Sequence, residues 1–140
     1  MRWLSVFVLA LLPAAARAEV TASNAWIRAM APGQKSAAAY VTLKSSDDAK
    51  VVGVSSPAGK AQLHTSMIMS GVAHMHGLDA LALPAGKAVE LKPGGEHVMH
   101  MEVARPLRAG DSVPLAVTVV DSKGKRSTLE VKAVVRPITE

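Results

Sequence analysis

Ala61–Leu78 reads AQLHTSMIMSGVAHMHGL, two short segments of alternating polarity hinged on Ser70-Gly71. A serine-glycine pair between such segments signals a tight hairpin, so Ala61–Met69 and Val72–Leu78 are expected as antiparallel strands. A two-residue loop pairs Met69 with Val72 and Ser66 with Met75, leaving His64 diagonal to Met75 on one face. A three-residue loop opposes Met67 to Met75 and sends His64 and Met75 to opposite faces, so turn length decides which side chains meet.

Outward from this hairpin the same pattern repeats. Asn24–Met30, Ala38–Lys44, Lys50–Val54, Ala88–Lys92, Glu96–Val103, Val113–Asp121 and Ser127–Val135 are valine-rich or alternating. They lie between punctuation such as Ala31-Pro32-Gly33, Pro57–Gly59, Pro84–Gly86, Pro93-Gly94-Gly95 and Ser122-Lys123-Gly124. Helical periodicity is nearly absent. The expected fold is all-β, a Greek-key β-sandwich of about eight or nine strands.

The chain has 140 residues, 49% of them hydrophobic, which suits one globular domain. It begins with Arg2, the apolar run Trp3–Leu12, Pro13 and Ala16-Arg17-Ala18, the order of a secretory signal cleaved after Ala18. The apolar run is too short for a hydrocarbon core that needs about 20 residues. The expected organisation is a signal peptide at 1–18 and a single domain at 19–140, periplasmic, monomeric and without a further transmembrane segment.

There is no cysteine. Disulfides, thiolate zinc sites, blue-copper electron transfer and lipid attachment through an N-terminal cysteine are therefore excluded within these residues. The only aromatic residues are Trp3, Phe7, Trp26 and Tyr40, so nucleic-acid binding by base stacking is not expected despite a net charge of +5. The late basic residues Arg105, Arg108, Lys123, Lys125 and Arg126 read first as a solvated, aggregation-blocking edge. A docking surface for an acidic partner or anionic headgroups is the alternative.

All five histidines (His64, His74, His76, His97, His100) and five of the seven methionines (Met67, Met69, Met75, Met99, Met101) fall between positions 64 and 101. Singly, a methionine is a core filler and a histidine a satisfied surface residue. Together they point to metal. In Glu96–Val103, strand alternation puts His97, Met99 and Met101 on one face and Val98 and His100 on the other, so His97 and Met99 can chelate one ion. The Pro93-Gly94-Gly95 turn has type II chemistry and sets His97 just past a sheet end, both ordered and reachable.

His64, then Met75 after ten residues, His97 after twenty-one more and Met99 after one, set in LHTSMIMSGVAHM and LKPGGEHVM, resembles the periplasmic copper chaperones of the PCu(A)C family. AWIRAMAPGQKSAAAYVTL and RPLRAGDSVPLAVTV extend the resemblance over most of the chain. It implies a cupredoxin-like β-sandwich holding one Cu(I) through His64, Met75, His97 and Met99. It also implies delivery to the copper A centre of cytochrome c oxidase subunit II, with other periplasmic copper-handling proteins as further partners.

The chain departs from the family at two places. Family members often carry methionines two and four residues after the first histidine, whereas Met67 and Met69 lie three and five after His64, so neither is assigned. Some members also have a His- and Met-rich tail that binds Cu(II), and VRPITE at 135–140 carries neither residue. His74, His76 and His100 read first as solvated strand residues, with a second, weaker Cu(II) site as the alternative.

Ligand chemistry agrees with the resemblance. Neutral thioethers favour Cu(I), imidazole serves either copper oxidation state, and zinc rarely accepts methionine. No His-Glu-x-x-His helix, phosphate loop or nucleophile elbow is present, and an enzyme is not expected. The competing functions are a periplasmic copper store using the same ligands and a metal-free β-sandwich interaction module.

Overall fold

The computed structural model describes residues 18–138. The expected signal peptide therefore lies outside the described residues, apart from Ala18. Among those described, every regular element is a strand: β1 (Val20–Arg28), β2 (Ala37–Ser45), β3 (Ala49–Ser55), β4 (Lys60–Met69), β5 (Val72–Gly77), β6 (Leu81–Leu83), β7 (Ala88–Glu90), β8 (His97–Met101), β9 (Ser112–Asp121) and β10 (Arg126–Arg136). Among the described residues, no helix is long and apolar enough to cross a membrane.

The strands form one hydrogen-bonded sheet in the order β5-β4-β8-β2-β1-β10-β9-β3-β6, with β7 also pairing β2. All pairs are antiparallel except β1 with β10. Both halves contribute to one apolar cluster. Ala37, Ala39, Val41 and Leu43 of β2 join Val113, Leu115, Val117 and Val119 of β9 within it, so the sheet folds over on itself around a shared core. Each such valine or leucine contributes about 1.5–3 kcal/mol by leaving water.

The all-β architecture is as expected, but ten strands replace eight or nine. The extra one, β6, is three residues long and exists by pairing Leu81 with Val51 and Leu83 with Ala49. β1 begins at Val20 rather than Asn24, because a bulge, with Asn24 at φ 51°, joins Val20–Ser23, which pairs with Thr42–Ser45, to Trp26–Ile27, which pairs with Ala39–Tyr40.

Two turns position the functional region. Ser70 and Gly71 both have positive φ, 51° and 77°, the signature of a two-residue type I′ hairpin. Met69 accordingly pairs with Val72, and Ser66 with Met75. At the other turn, the Gly95 N–H donates to Lys92 O at 3.0 Å and Gly94 has φ 84°, so Pro93-Gly94 turns the chain into β8 as type II geometry requires.

The basic residues do not gather. Arg105 and Arg108 precede β9, whereas Lys123, Lys125 and Arg126 follow its far end. Ten extended residues separate the groups by about 30 Å, which removes the single docking patch considered from sequence.

Candidate metal centre

β8 lies between β4 and β2, so its two faces have different surroundings. Val98 and His100 pair with Ala39 and Ala37 on the core side. His97 and Met99 therefore project from the outer side. Across the β4–β8 ladder, His64 is the direct partner of His97 and Gln62 the direct partner of Met99. These four residues occupy two adjacent rows of one face.

The two imidazole centroids are 5.9 Å apart, with ring planes at 55°. Each ring has one nitrogen committed to an oxygen acceptor. His97 Nδ1–H donates to Gly95 O at 3.0 Å, and His64 Nε2–H donates to Gln62 Oε1 at 3.2 Å. The opposite nitrogens, His97 Nε2 and His64 Nδ1, are buried without a hydrogen-bond partner. A neutral imidazole oriented through one nitrogen, with the other lone pair free, is the arrangement that metal-ligating histidines adopt. Burial, helped by the neighbouring His97, pushes the His64 pKa below 6.5 and favours the neutral form that can coordinate.

Gly95 also accepts the Ser66 N–H at 3.3 Å, tying the turn to β4 beside the site. His97 is only 2% exposed, so the expectation of a reachable His97 is corrected. It is ordered but covered, with Tyr40 packed 6.3 Å away, centroid to centroid. Tyr40 contacts Trp26 in turn at 4.6 Å, and the Arg136 guanidinium lies 4.9 Å from the Trp26 ring centroid. Burial raises the Tyr40 pKa, so the phenol stays neutral beside His97. Sequence reasoning missed the orienting role of Gln62 and the covering role of Tyr40. Only the i, i+2 spacing of Gln62 and His64 signals the former.

Met75 is the exposed member, at 59%. The register puts it on the same face as His64, opposite Ser66 and one row towards the hairpin tip. Gly77 faces His64 itself, and a Cβ at Gly77 would meet nothing within 4 Å, so no side chain fills the cross-strand position opposite His64. Met99 lies one row on the other side of the histidine pair. Met101 shares its face but stands a pleat further, opposite Lys60.

The remaining candidates lie elsewhere. Met67, Met69, His74 and His76 occupy the other face of the β4–β5 hairpin. His100, expected as a solvated residue or part of a second site, is fully buried in the core with both ring nitrogens unpartnered. No three His, Asp or Glu side chains converge among the described residues. An ion at the His64–His97 pair would therefore need thioethers to complete its shell.

Residues 20–135 match the LpqE-like family, whose name marks its members as candidate lipoproteins. Lxx21020 of Leifsonia xyli subsp. xyli, a lipoprotein candidate by name, is 36% identical over 114 residues, covering 80% of this chain and 68% of its own length. DR1885 from Deinococcus radiodurans is similar in structure. Its apo form is 32% identical with a TM-score of 0.60, over 90% of this chain and 87% of that one. Its CuI form is 34% identical with a TM-score of 0.58, over 81% and 75%. The copper-bound PCuAC domain from PmoF2 matches at 23% identity and a TM-score of 0.62, over 84% of this chain and 92% of that domain, a likeness of fold. The lipid linkage implied by the family's name has no thiol to attach to within these 140 residues. The fold is that of the cupredoxin-like PCuAC domains, and the chain belongs to the LpqE-like family.

Proposed function

We propose that the protein is a copper chaperone that binds one Cu(I) through His64 Nδ1, His97 Nε2 and the thioethers of Met75 and Met99. It acts in the periplasm and releases the ion by ligand exchange to the copper A centre of cytochrome c oxidase subunit II. The observation that carries the reading is the facing pair of histidines, each oriented through one nitrogen and left with a buried, unpartnered lone pair. The CuI form in which the DR1885 relative was solved supports the choice of ion. Donor chemistry supports it independently, because two neutral imidazoles and two neutral thioethers suit a soft monovalent ion better than zinc.

Ligand exposure supports transfer rather than storage. Met75 is open to solvent while His97 is covered, so an incoming ligand can displace the outer thioether while the inner imidazole still holds the ion. Chelator competition with His64→Ala, Met75→Ala, His97→Ala and Met99→Ala variants tests the ligand set. Copper K-edge absorption should find both nitrogen and sulfur around the ion, and a shell containing only nitrogen and oxygen would overturn it.

A further inference from the structure

We infer that His74 and His76 form a second copper site, selective for Cu(II), on the face of the β4–β5 hairpin opposite Met75. The inference does not depend on the Cu(I) reading, because the side chains point the other way. Along β5, residues 74 and 76 share one face and Met75 the other. His74 pairs with Met67, and His76 with Thr65, whereas Met75 pairs with Ser66 on the His64 side.

The two rings are exposed neighbours on one strand face. Their centroids are 6.3 Å apart and their planes differ by only 21°. The rings are stacked, and imidazole lone pairs lie in the ring plane, so both side chains must rotate to aim one nitrogen each at a shared ion; two histidines two residues apart on one exposed strand face have the reach to do so. The whole of β5 is exposed and forms an end of the sheet, so rotamer adjustment meets no packed neighbour.

The donor set selects the oxidation state. Two imidazoles on an open face leave the remaining positions to water, and a tetragonal nitrogen-oxygen shell is the preference of Cu(II). Among divalent first-row ions, Cu(II) also binds such donors most strongly. The Met67 thioether beside His74 offers a weak axial contact. The hairpin thus carries a port for the oxidised ion back to back with the thioether assigned to the reduced one, with no electron transfer implied between them.

The experiment is a Cu(II) titration of the full chain without reductant, followed by electron paramagnetic resonance and chelator competition. H74Q/H76Q is compared with H64Q/H97Q, and with H64Q alone should loss of the buried His97 impair folding. The expected result is that H74Q/H76Q weakens Cu(II) binding at least tenfold and loses the nitrogen splitting, while Cu(I) affinity changes less than threefold. H64Q/H97Q, or H64Q, should retain the Cu(II) signal. Unchanged Cu(II) affinity in H74Q/H76Q, or loss of the signal on replacing His64, would overturn the inference. Cu(I) competition on the same proteins reports on the first site alone, so failure of either reading is seen separately.

Discussion

Ser66 sits directly opposite Met75 in the β4–β5 ladder, one pleat from the His64–His97 pair, so the thioether of β5 adjoins the imidazoles across a short hydroxymethyl side chain. Ser66→Leu should fill that approach and weaken Cu(I) binding about tenfold, or about 1.4 kcal/mol, with the fold retained. Competition against a Cu(I) chelator measures it. An unchanged affinity would mean that Met75 does not reach the ion from this side.

Gln62 holds His64 by accepting its Nε2–H, and nothing else among the described residues is seen to orient that ring. Gln62→Leu should free the ring and let either nitrogen carry the proton, lowering Cu(I) affinity about tenfold, at the low end of what loss of such a partner costs. Nitrogen chemical shifts of His64 should show a mixed tautomer in the variant and a single one in the parent. A single tautomer in both proteins would remove Gln62 from the account.

Met99 and Met101 separate chemistry from composition. Both project from the outer face of β8, but Met99 is one pleat from the histidine row and Met101 two, a further step of roughly 7 Å. Met99→Ala should therefore weaken Cu(I) binding by more than tenfold, and Met101→Ala or Met67→Ala by less than threefold. Equal losses for Met99 and Met101 would defeat the register argument.

His100 makes the apo-protein sensitive to acid. Burial holds its pKa below 6.5, so the unfolded chain takes up a proton before the folded one does as pH falls. The unfolded state then binds more protons, and stability present above about pH 6.5 is lost progressively below it. His64, whose pKa is lowered too, acts in the same sense. His100→Leu should flatten, without abolishing, the fall in Tm between pH 7 and 5. Urea unfolding at both pH values checks the prediction, and an unchanged pH slope would show that His100 is not the source.

Much of this site is written in local sequence. Ser70-Gly71 marks the turn and alternation assigns His97 and Met99 to one face, but the loop length is open in the sequence, and only the positive φ of both turn residues settles the Ser66–Met75 register. Alternation also groups His100 with Val98, so its core position was legible, although histidine chemistry drew attention to solvent and metal instead. β6 was not legible, because three residues carry no period of their own and need β3 to become a strand. Gln62 looks like any surface amide until the fold sets it beside an imidazole. The basic residues show the converse, since closeness along the chain concealed a separation of an entire strand.

Transfer itself should require contact between proteins. Met75 is exposed while His97 is covered, so an attacking thiolate can reach the ion from the hairpin side before the inner bonds break. Thioethers are weak enough to be displaced, and the mixed complex can then pass copper on without releasing it. The rate of transfer to a purified, reduced copper A domain should rise with that domain's concentration and fall to the spontaneous loss rate across a dialysis membrane. Salt should have little influence, because the basic residues are divided between opposite ends of β9 and present no single patch for steering. A steep slowing between about 50 and 500 mM salt would restore electrostatic docking. A rate independent of recipient concentration would instead favour a store that merely leaks copper.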